Sequence, residues 1–115
     1  MFYQCATLFF LLCVSHALCD FAFQNDYITR QKRRILADGT HNDHWGWVLG
    51  AHALIHGGGV YFVTGHMLLP AVLETVCHAA IDFHKCEGRL TYNQDQTLHI
   101  LCKAFWVFIA ISSTT

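Results

Sequence analysis

Charged residues are scarce in this sequence. Asp, Glu, Lys and Arg make up 13% of the 115 residues, which is about half of their usual share. None of the four occurs in positions 1–19, 44–73 or 104–115. Hydrophobic residues make up 54% of the chain, which excludes a disordered protein. Long stretches without charge are typical of a protein that lies in a membrane.

Basic residues are also too few for binding to nucleic acid. The net charge is −1 with neutral histidines, and the one basic cluster, at positions 30–34, has little support elsewhere. An interface with RNA or DNA would need a broader basic face. We therefore expect no nucleic-acid partner and interpret the cluster as a positive segment that flanks a membrane span.

Two further features are missing, a paired-cysteine motif and a basic N-terminus. The six cysteines form no C-x-x-C pair and lie mostly in apolar segments, so we expect reduced, buried thiols. No Lys or Arg precedes Arg30, so the apolar start lacks the basic region of a signal peptide. We expect this segment to remain in the protein as an uncleaved first helix.

The sequence does contain four apolar segments. Because open strands cannot span lipid, we predict that these segments are helices. The predicted fold is a single all-α domain over residues 1–115, a four-helix transmembrane bundle in a lipid bilayer. The predicted helices cover about residues 3–23, 45–62, 67–83 and 97–111.

Local signals predict where some of these helices begin and end. The Gly57–Gly59 run is expected to bound the second helix and to open a tight loop that continues to His66. The Glu87–Gly88 pair is typical of a helix stop, and Asn93 is a candidate N-cap for the fourth helix.

Basic residues in the connections predict the orientation of the bundle. Six of the seven Lys and Arg residues lie at about 24–44 and 84–96, in connections on the same side of a four-helix protein. The positive-inside rule places both connections in the cytoplasm. Both termini are then expected to face outward.

Ionisable residues recur at helical spacing inside all four segments. Steps of four residues place side chains on one face of a helix, so each segment carries a narrow polar stripe. Under the predicted topology, all four stripes face inward in the cytoplasmic half of the bundle. Burying a carboxylate in lipid is costly unless it is paired or bound to a cation. The stripes are His16, Asp20 and Gln24; His52 and His56; Glu74, His78 and Asp82; and Asp95, Gln96 and His99.

The chemistry of the stripes predicts a divalent-metal site. His, Asp and Glu are the ligands of first-row divalent metals, and inward ligands from four helices are a known way to build such a site. Zn²⁺ is the first candidate, followed by Mn²⁺ and Fe²⁺. Glu74 or Asp95 is predicted to act as general base, and His99 or Gln24 is predicted to orient it. The metal ligands are predicted to be a subset of His16, Asp20, His52, His56, His78 and Asp82.

Other interpretations of the stripes stay open at this point. They could form a proton or ion relay, or a purely structural network of hydrogen bonds. Lys103 lies deep in the fourth segment, where we expect it to snorkel or to pair with a carboxylate such as Glu74.

The stripes belong to motifs that resemble a known family in their order along the chain. The resemblance is to small membrane proteins of bacteria and phages, catalogued as domain of unknown function 3307, and it covers nearly the whole chain. It implies a four-helix protein of the bacterial inner membrane, or of the host membrane for a phage protein, and no established activity. Cys19 stands where the family commonly has Gly. The motifs are HALCDFAFQND at 16–26, Lys32, HALIHG at 52–57, HAAIDFHK at 78–85 and DQTLH at 95–99.

Two function hypotheses follow. The first is a membrane-bound metal-dependent hydrolase that acts on a lipid-linked or membrane-proximal ester, phosphoester or amide. The His-x-x-x-Asp spacing is similar to that of such hydrolases. The second is a non-enzymatic membrane protein that acts by partner binding, oligomerisation or conduction of ions or protons. The sequence indicates neither the substrate nor the oligomeric state.

Overall fold

The computed structural model describes residues 1–114 and shows an all-α fold, as predicted. Four long helices pack side by side into a body of 51 × 24 × 21 Å, and a short helix lies in the connection after the first of them. A π-helical segment, Leu18–Ala22, continues the first helix. The helices are α1 (Phe2–Ala17), α2 (Asp26–Gln31), α3 (Trp45–Val63), α4 (Leu68–Cys86) and α5 (Tyr92–Ser112).

The glycine run does not end a helix. Residues 57–59 lie inside α3, which continues to Val63, so the predicted loop from Gly57 to His66 is wrong. A Cβ atom on Gly57 would collide with Thr75 of α4, and one on Gly59 would collide with Ser15 of α1. The run therefore allows neighbouring helices to approach closely, which is a common use of glycine between packed helices.

The start of α5 also differs from the prediction. Thr91, and not Asn93, is the N-cap: its hydroxyl accepts a hydrogen bond from the backbone of Gln94, whose side chain accepts one from Thr91 N–H. This reciprocal capping box satisfies two backbone donors at once. Gln96, which has the same spacing from Asn93, instead contacts His16 and Asp20. The predicted stop after α4 is confirmed, because Glu87 is the C-cap and Gly88 has a φ of +75°.

The connection between α1 and α3 is more ordered than a simple loop. Asn25 caps α2 by accepting a hydrogen bond from Ile28 N–H. Farther along, the buried Asn42 side chain donates to the backbone oxygens of Gln31 and Arg33. These bonds fold the connection back over one end of the bundle and turn Lys32 inward, where its side chain is only 6% exposed.

The interior of the bundle has two distinct regions. One region, here called the apolar core, consists of Leu12, Val60, Trp106 and Val107. The other, the polar cluster, lies nearer to the connections at residues 24–44 and 87–91. Its members are His16, Asp20, His52, His56, Glu74, His78, Asp82, Asp95 and His99, all of them buried.

In the described part of the chain, one helix is long and apolar enough to cross a membrane. It spans Phe2–Ala22 and lies near the N-terminus. A core helix of a soluble protein or a signal sequence meets the same criterion, so this helix alone is weak support for membrane insertion.

Candidate metal centre

The polar cluster exists because four helices present the predicted stripes to one another. Each stripe has the four-residue spacing that keeps side chains on one helix face. Asp20 lies in the π-helical segment, where Phe23 N–H donates to Leu18 O across five residues. Such π-helical turns occur frequently at functional sites. The structure brings together all nine residues that the sequence predicts as metal ligands or catalytic groups.

Asp20 lies at the centre of the histidines. Its Oδ1 atom is 3.3 Å from His52 Nε2, 3.2 Å from His56 Nε2 and 3.8 Å from His78 Nε2. Its Oδ2 atom accepts a hydrogen bond of 2.9 Å from Gln96 Nε2. The Asp20 carboxylate therefore faces imidazoles from two other helices.

Asp82 and Asp95 flank His99 on the side of the cluster nearer to the connections. The His99 Nε2 atom is 3.3 Å from Asp82 Oδ1 and 3.4 Å from Asp95 Oδ1. His16 lies at the edge of the same group, and its Nε2 atom is 3.1 Å from Gln96 Oε1. Gln96 thus connects α5 to the end of α1.

Three of the four buried carboxylates have a lysine partner. Lys103 Nζ donates to Glu74 Oε1 at 2.6 Å, which is one of the two arrangements expected for this lysine. Lys32 Nζ lies 2.5 Å from Asp82 Oδ2. Lys85 Nζ is 3.6 Å from Asp95 Oδ2. Among the residues that the structure describes, Asp20 is the buried carboxylate without such a partner, since its ion-pair contacts are all to histidines.

Several buried polar atoms of the cluster have no hydrogen-bond partner among the described residues. Both ring nitrogens of His52 and of His78 are in this state, as are His16 Nδ1 and Asp95 Oδ1. Leaving such an atom unpaired costs about 1–3 kcal/mol. Most buried polar atoms in folded proteins are paired, so this concentration in one place requires an explanation.

Lys32 and Trp106 are cluster contacts that the site prediction missed. Lys32 stands in a basic stretch, which the positive-inside argument assigned to the cytoplasmic surface, and its partner Asp82 is 50 residues away. The N-cap residue Asn25 is a local signal for the short helix whose C-cap is Lys32. Trp106 has an ordinary apolar setting in the sequence, yet its Nε1 donates to Glu74 Oε2.

An exposed ion pair closes the rim of the bundle near the polar cluster. Arg34 donates from Nε and Nη2 to the two carboxylate oxygens of Glu87, at 3.1 and 2.9 Å. Hydrogen bonding from Arg34 holds the pKa of Glu87 below its usual value, and Glu87 raises the pKa of Arg34. The pair joins the connection before α3 to the end of α4.

Fold and site together define the class: a helical bundle with a buried group of histidines and carboxylates drawn from several helices. The chain belongs to the DUF3307 family, described as a protein of unknown function, whose sequence profile matches residues 8–115. This match confirms the family resemblance of the motifs. No curated protein and no solved structure matches the chain.

Proposed function

We propose that this protein is an integral-membrane protein that binds a divalent metal ion at Asp20, His52, His56 and His78. The observation that carries the metal site is the state of Asp20. This carboxylate is 7% exposed and lacks a lysine or arginine partner among the described residues, whereas each of the other three buried carboxylates has a lysine. An uncompensated buried charge is costly, and a bound cation supplies the missing compensation.

The donor set fits such an ion. One oxygen from Asp20 and one nitrogen from each of the three histidines lie within 4.8 Å of one another. Ligands that are 2.0–2.2 Å from a tetrahedral Zn²⁺ lie about 3.3–3.6 Å apart. The separations between Asp20 Oδ1 and the three Nε2 atoms, 3.2 to 3.8 Å, are close to this range.

The unpaired ring nitrogens support the same site. His52 Nε2 and His78 Nε2 both face Asp20 without making a hydrogen bond to it. Ligand atoms of one metal ion lie close together but point at the ion, so they are not expected to have hydrogen-bond geometry with one another. Three imidazoles and a carboxylate suit Zn²⁺ best among the candidates, with Mn²⁺ and Fe²⁺ as alternatives.

Metal-dependent hydrolysis is the activity that we propose for this site. A divalent ion held by these residues would supply a Lewis acid, and it would activate water at a position left open by one of the four residues or added as a fifth ligand. Asp95 is the better candidate for the general base, because its Oδ1 atom accepts no hydrogen bond from the described residues. Both oxygens of Glu74 are already engaged by Lys103 and Trp106, which argues against the predicted base role of Glu74.

The outer surface of the bundle supports insertion in a membrane. Large apolar side chains are exposed on every long helix, including Phe10 of α1, Phe62 of α3, Val76 of α4 and Phe108 of α5, which are between 62% and 72% exposed. Soluble bundles place charged residues there and apolar ones inside. In this chain the charges of α4 and α5 face largely inward, so average hydropathy underestimates how apolar their outer faces are.

The exposed basic residues support the predicted orientation. Arg30, Arg33, Arg34 and Arg89 are exposed in the connections at the polar end of the bundle, whereas residues 64–67 at the other end contain no Lys or Arg. By the positive-inside rule, the polar end faces the cytoplasm and both termini face outward. We propose the bacterial inner membrane, or the host membrane for a phage protein, as the location.

The apolar core disfavours ion or proton conduction. A conducting path would have to continue polar groups through the whole bundle. The core residues Leu12, Val60 and Val107 instead lie between the polar cluster and the other end. Absence of bound metal in the following measurement would favour a non-enzymatic role.

Metal analysis of the detergent-purified protein tests the site. We expect about one divalent ion per chain in the wild type, and loss of the ion in Asp20→Asn and His78→Ala. His84→Ala is the matched control, because His84 is exposed at the end of α4. If His78→Ala retains as much metal as the wild type does, the proposed site is wrong.

Fractionation tests the membrane proposal separately. We expect the protein to stay in the membrane pellet after extraction at alkaline pH and to dissolve when detergent is added. Recovery of folded protein in the soluble fraction without detergent would contradict membrane insertion, and it would leave the metal measurement valid.

A further inference from the structure

We propose that Glu74 is a positioning residue, which orients His56 and His78 from the side of the rings opposite the metal site. The proposal rests on the metal site proposed above. The Glu74 Oε1 atom is 3.6 Å from His78 Nδ1 and 3.9 Å from His56 Nδ1. The two rings are stacked, with centroids 3.5 Å apart and an interplanar angle of 21°. One carboxylate oxygen therefore faces the same edge of both rings.

The opposite edge of each ring faces Asp20. His56 Nε2 and His78 Nε2 are 3.2 and 3.8 Å from its Oδ1 atom. A neutral imidazole that binds a metal through Nε2 carries its proton on Nδ1, and a carboxylate at Nδ1 fixes this tautomer and the angle of the ring. His78 Nδ1 lacks a hydrogen-bond partner among the described residues, and the Glu74 Oε1 atom faces it at 3.6 Å.

Glu74 is itself held in place by α5. Lys103 Nζ donates to Oε1 at 2.6 Å, and Trp106 Nε1 donates to Oε2 at 2.5 Å. Glu74 and Lys103 are each 1% exposed, and Trp106 is 2% exposed. A carboxylate fixed at both oxygens has little freedom to move, which suits orientation of the rings better than proton transfer.

A structural ion pair between α4 and α5 is the competing interpretation. It explains the contact between Glu74 and Lys103 but gives no role to the two Nδ1 atoms beside Oε1. The interpretations differ in one respect. Only a positioning residue affects the ligand geometry of a bound metal when the fold is intact.

Titration with Co²⁺ distinguishes the two interpretations, because the visible spectrum of bound Co²⁺ reports its ligand arrangement. We compare the wild type with two double variants of the full chain, both of which remove the buried charge pair. Glu74→Leu with Lys103→Met removes the acceptor oxygen, and Glu74→Gln with Lys103→Met retains one. Glu87→Gln is the matched control at a rim carboxylate.

We expect the Leu double variant to bind Co²⁺ about 10- to 100-fold more weakly than the wild type, with a changed spectrum. The Gln double variant should recover part of the affinity, and the control should match the wild type. Wild-type affinity and spectrum in both double variants would overturn the positioning role. Absence of Co²⁺ binding in the wild type would overturn the metal site and this role together.

Trp106→Phe provides a second measurement in case the double variants do not fold. It removes only the hydrogen bond to Glu74 Oε2 and keeps a ring in the apolar core. We expect a smaller change in the Co²⁺ spectrum, in the same direction as that of the Leu double variant. An unchanged spectrum would count against Glu74 as a positioning residue.

Discussion

The two regions inside the bundle are built on the same helices, but their buried side chains are stabilised by different interactions. The apolar core is made from side chains that need only contact, such as Leu12 and Val60. One helical turn away, at His16 and His56, the same helices supply groups that need a charged or hydrogen-bonded partner. Trp106 belongs to both regions, since its ring packs in the core while its Nε1 donates to Glu74.

The difference shows that the apolar core is complete and the polar cluster is not. The apolar side chains of the core need only packing contacts, and they make these contacts with one another. The cluster has three carboxylates with lysine partners, one without, and several unpaired ring nitrogens among the described residues. A ligand that binds to the cluster would stabilise the folded protein there, whereas the core is stabilised by packing alone.

Removal of one partner from a buried pair should have the largest effect on stability. Lys103→Ala leaves Glu74 buried without its cation, and we expect a loss of about 3–5 kcal/mol in the free energy of unfolding. Denaturant unfolding in detergent, followed by the helical signal, measures this loss. The matched control is Arg34→Ala, because the side chains of Arg34 and Glu87 are 43% and 15% exposed and the loss should be much smaller. Equal losses in the two variants would show that burial does not distinguish these pairs.

Metal removal should weaken the polar cluster and leave the core unaffected. An ion present at 100 times its Kd stabilises the folded state by about 2.7 kcal/mol, and chelation should remove this increment. The increment should persist in Leu12→Ala, which alters only the core, and disappear in Asp20→Asn. The measurement is the unfolding midpoint with and without chelator. An increment that survives in Asp20→Asn would locate the ion elsewhere.

The residue shared by the two regions should show an intermediate effect. Trp106→Phe keeps an aromatic ring in the core but removes a hydrogen bond to a buried carboxylate, so we expect a loss of about 2 kcal/mol. The unfolding free energy of Trp106→Phe, measured beside that of Phe105→Leu, provides the test, because Phe105 is 55% exposed on the same helix. No difference between the two variants would mean that the hydrogen bond contributes little.

The sequence predicted which residues belong to the polar cluster better than it predicted the ion pairs that they form. Four-residue spacing depends only on helix geometry, so His16, His52, His78 and His99 could be placed on inward faces without knowledge of the packing. Which carboxylate pairs with which lysine depends on how the helices are arranged around one another. That Asp20, alone of the four buried carboxylates in the described part of the chain, lacks a lysine partner therefore became visible only in three dimensions.

The wrong prediction at the glycine run and the missed contact of Lys32 share a similar cause. The run at Gly57–Gly59 has the composition of a turn, and only its contacts with Ser15 and Thr75 show that it serves close packing. Lys32 has exposed basic neighbours, and its partner Asp82 is distant in the chain. In both cases the role of a residue depends on its contact with another helix. Local propensity does not encode such contacts.

The rim pair should show the smallest effect, and its pH dependence should differ from that of the interior. Arg34 lowers the pKa of Glu87 in the folded state, so the pair stabilises the protein above the unfolded pKa of about 4.3 and the contribution is lost as the pH falls through the folded pKa. We expect wild type and Glu87→Gln to differ slightly in unfolding midpoint at pH 7 and to converge near pH 3.

Comparison of these two proteins at each pH cancels the titration of the polar cluster, because both contain the same cluster. If the difference in unfolding midpoint between the wild type and Glu87→Gln widened toward low pH, the expected pH dependence of the pair would be wrong. A difference at pH 7 as large as that of Lys103→Ala would place the main electrostatic stabilisation at the exposed rim. The small, convergent difference is expected because solvent screens the Arg34–Glu87 pair, whereas the Lys103–Glu74 pair is enclosed by the helices.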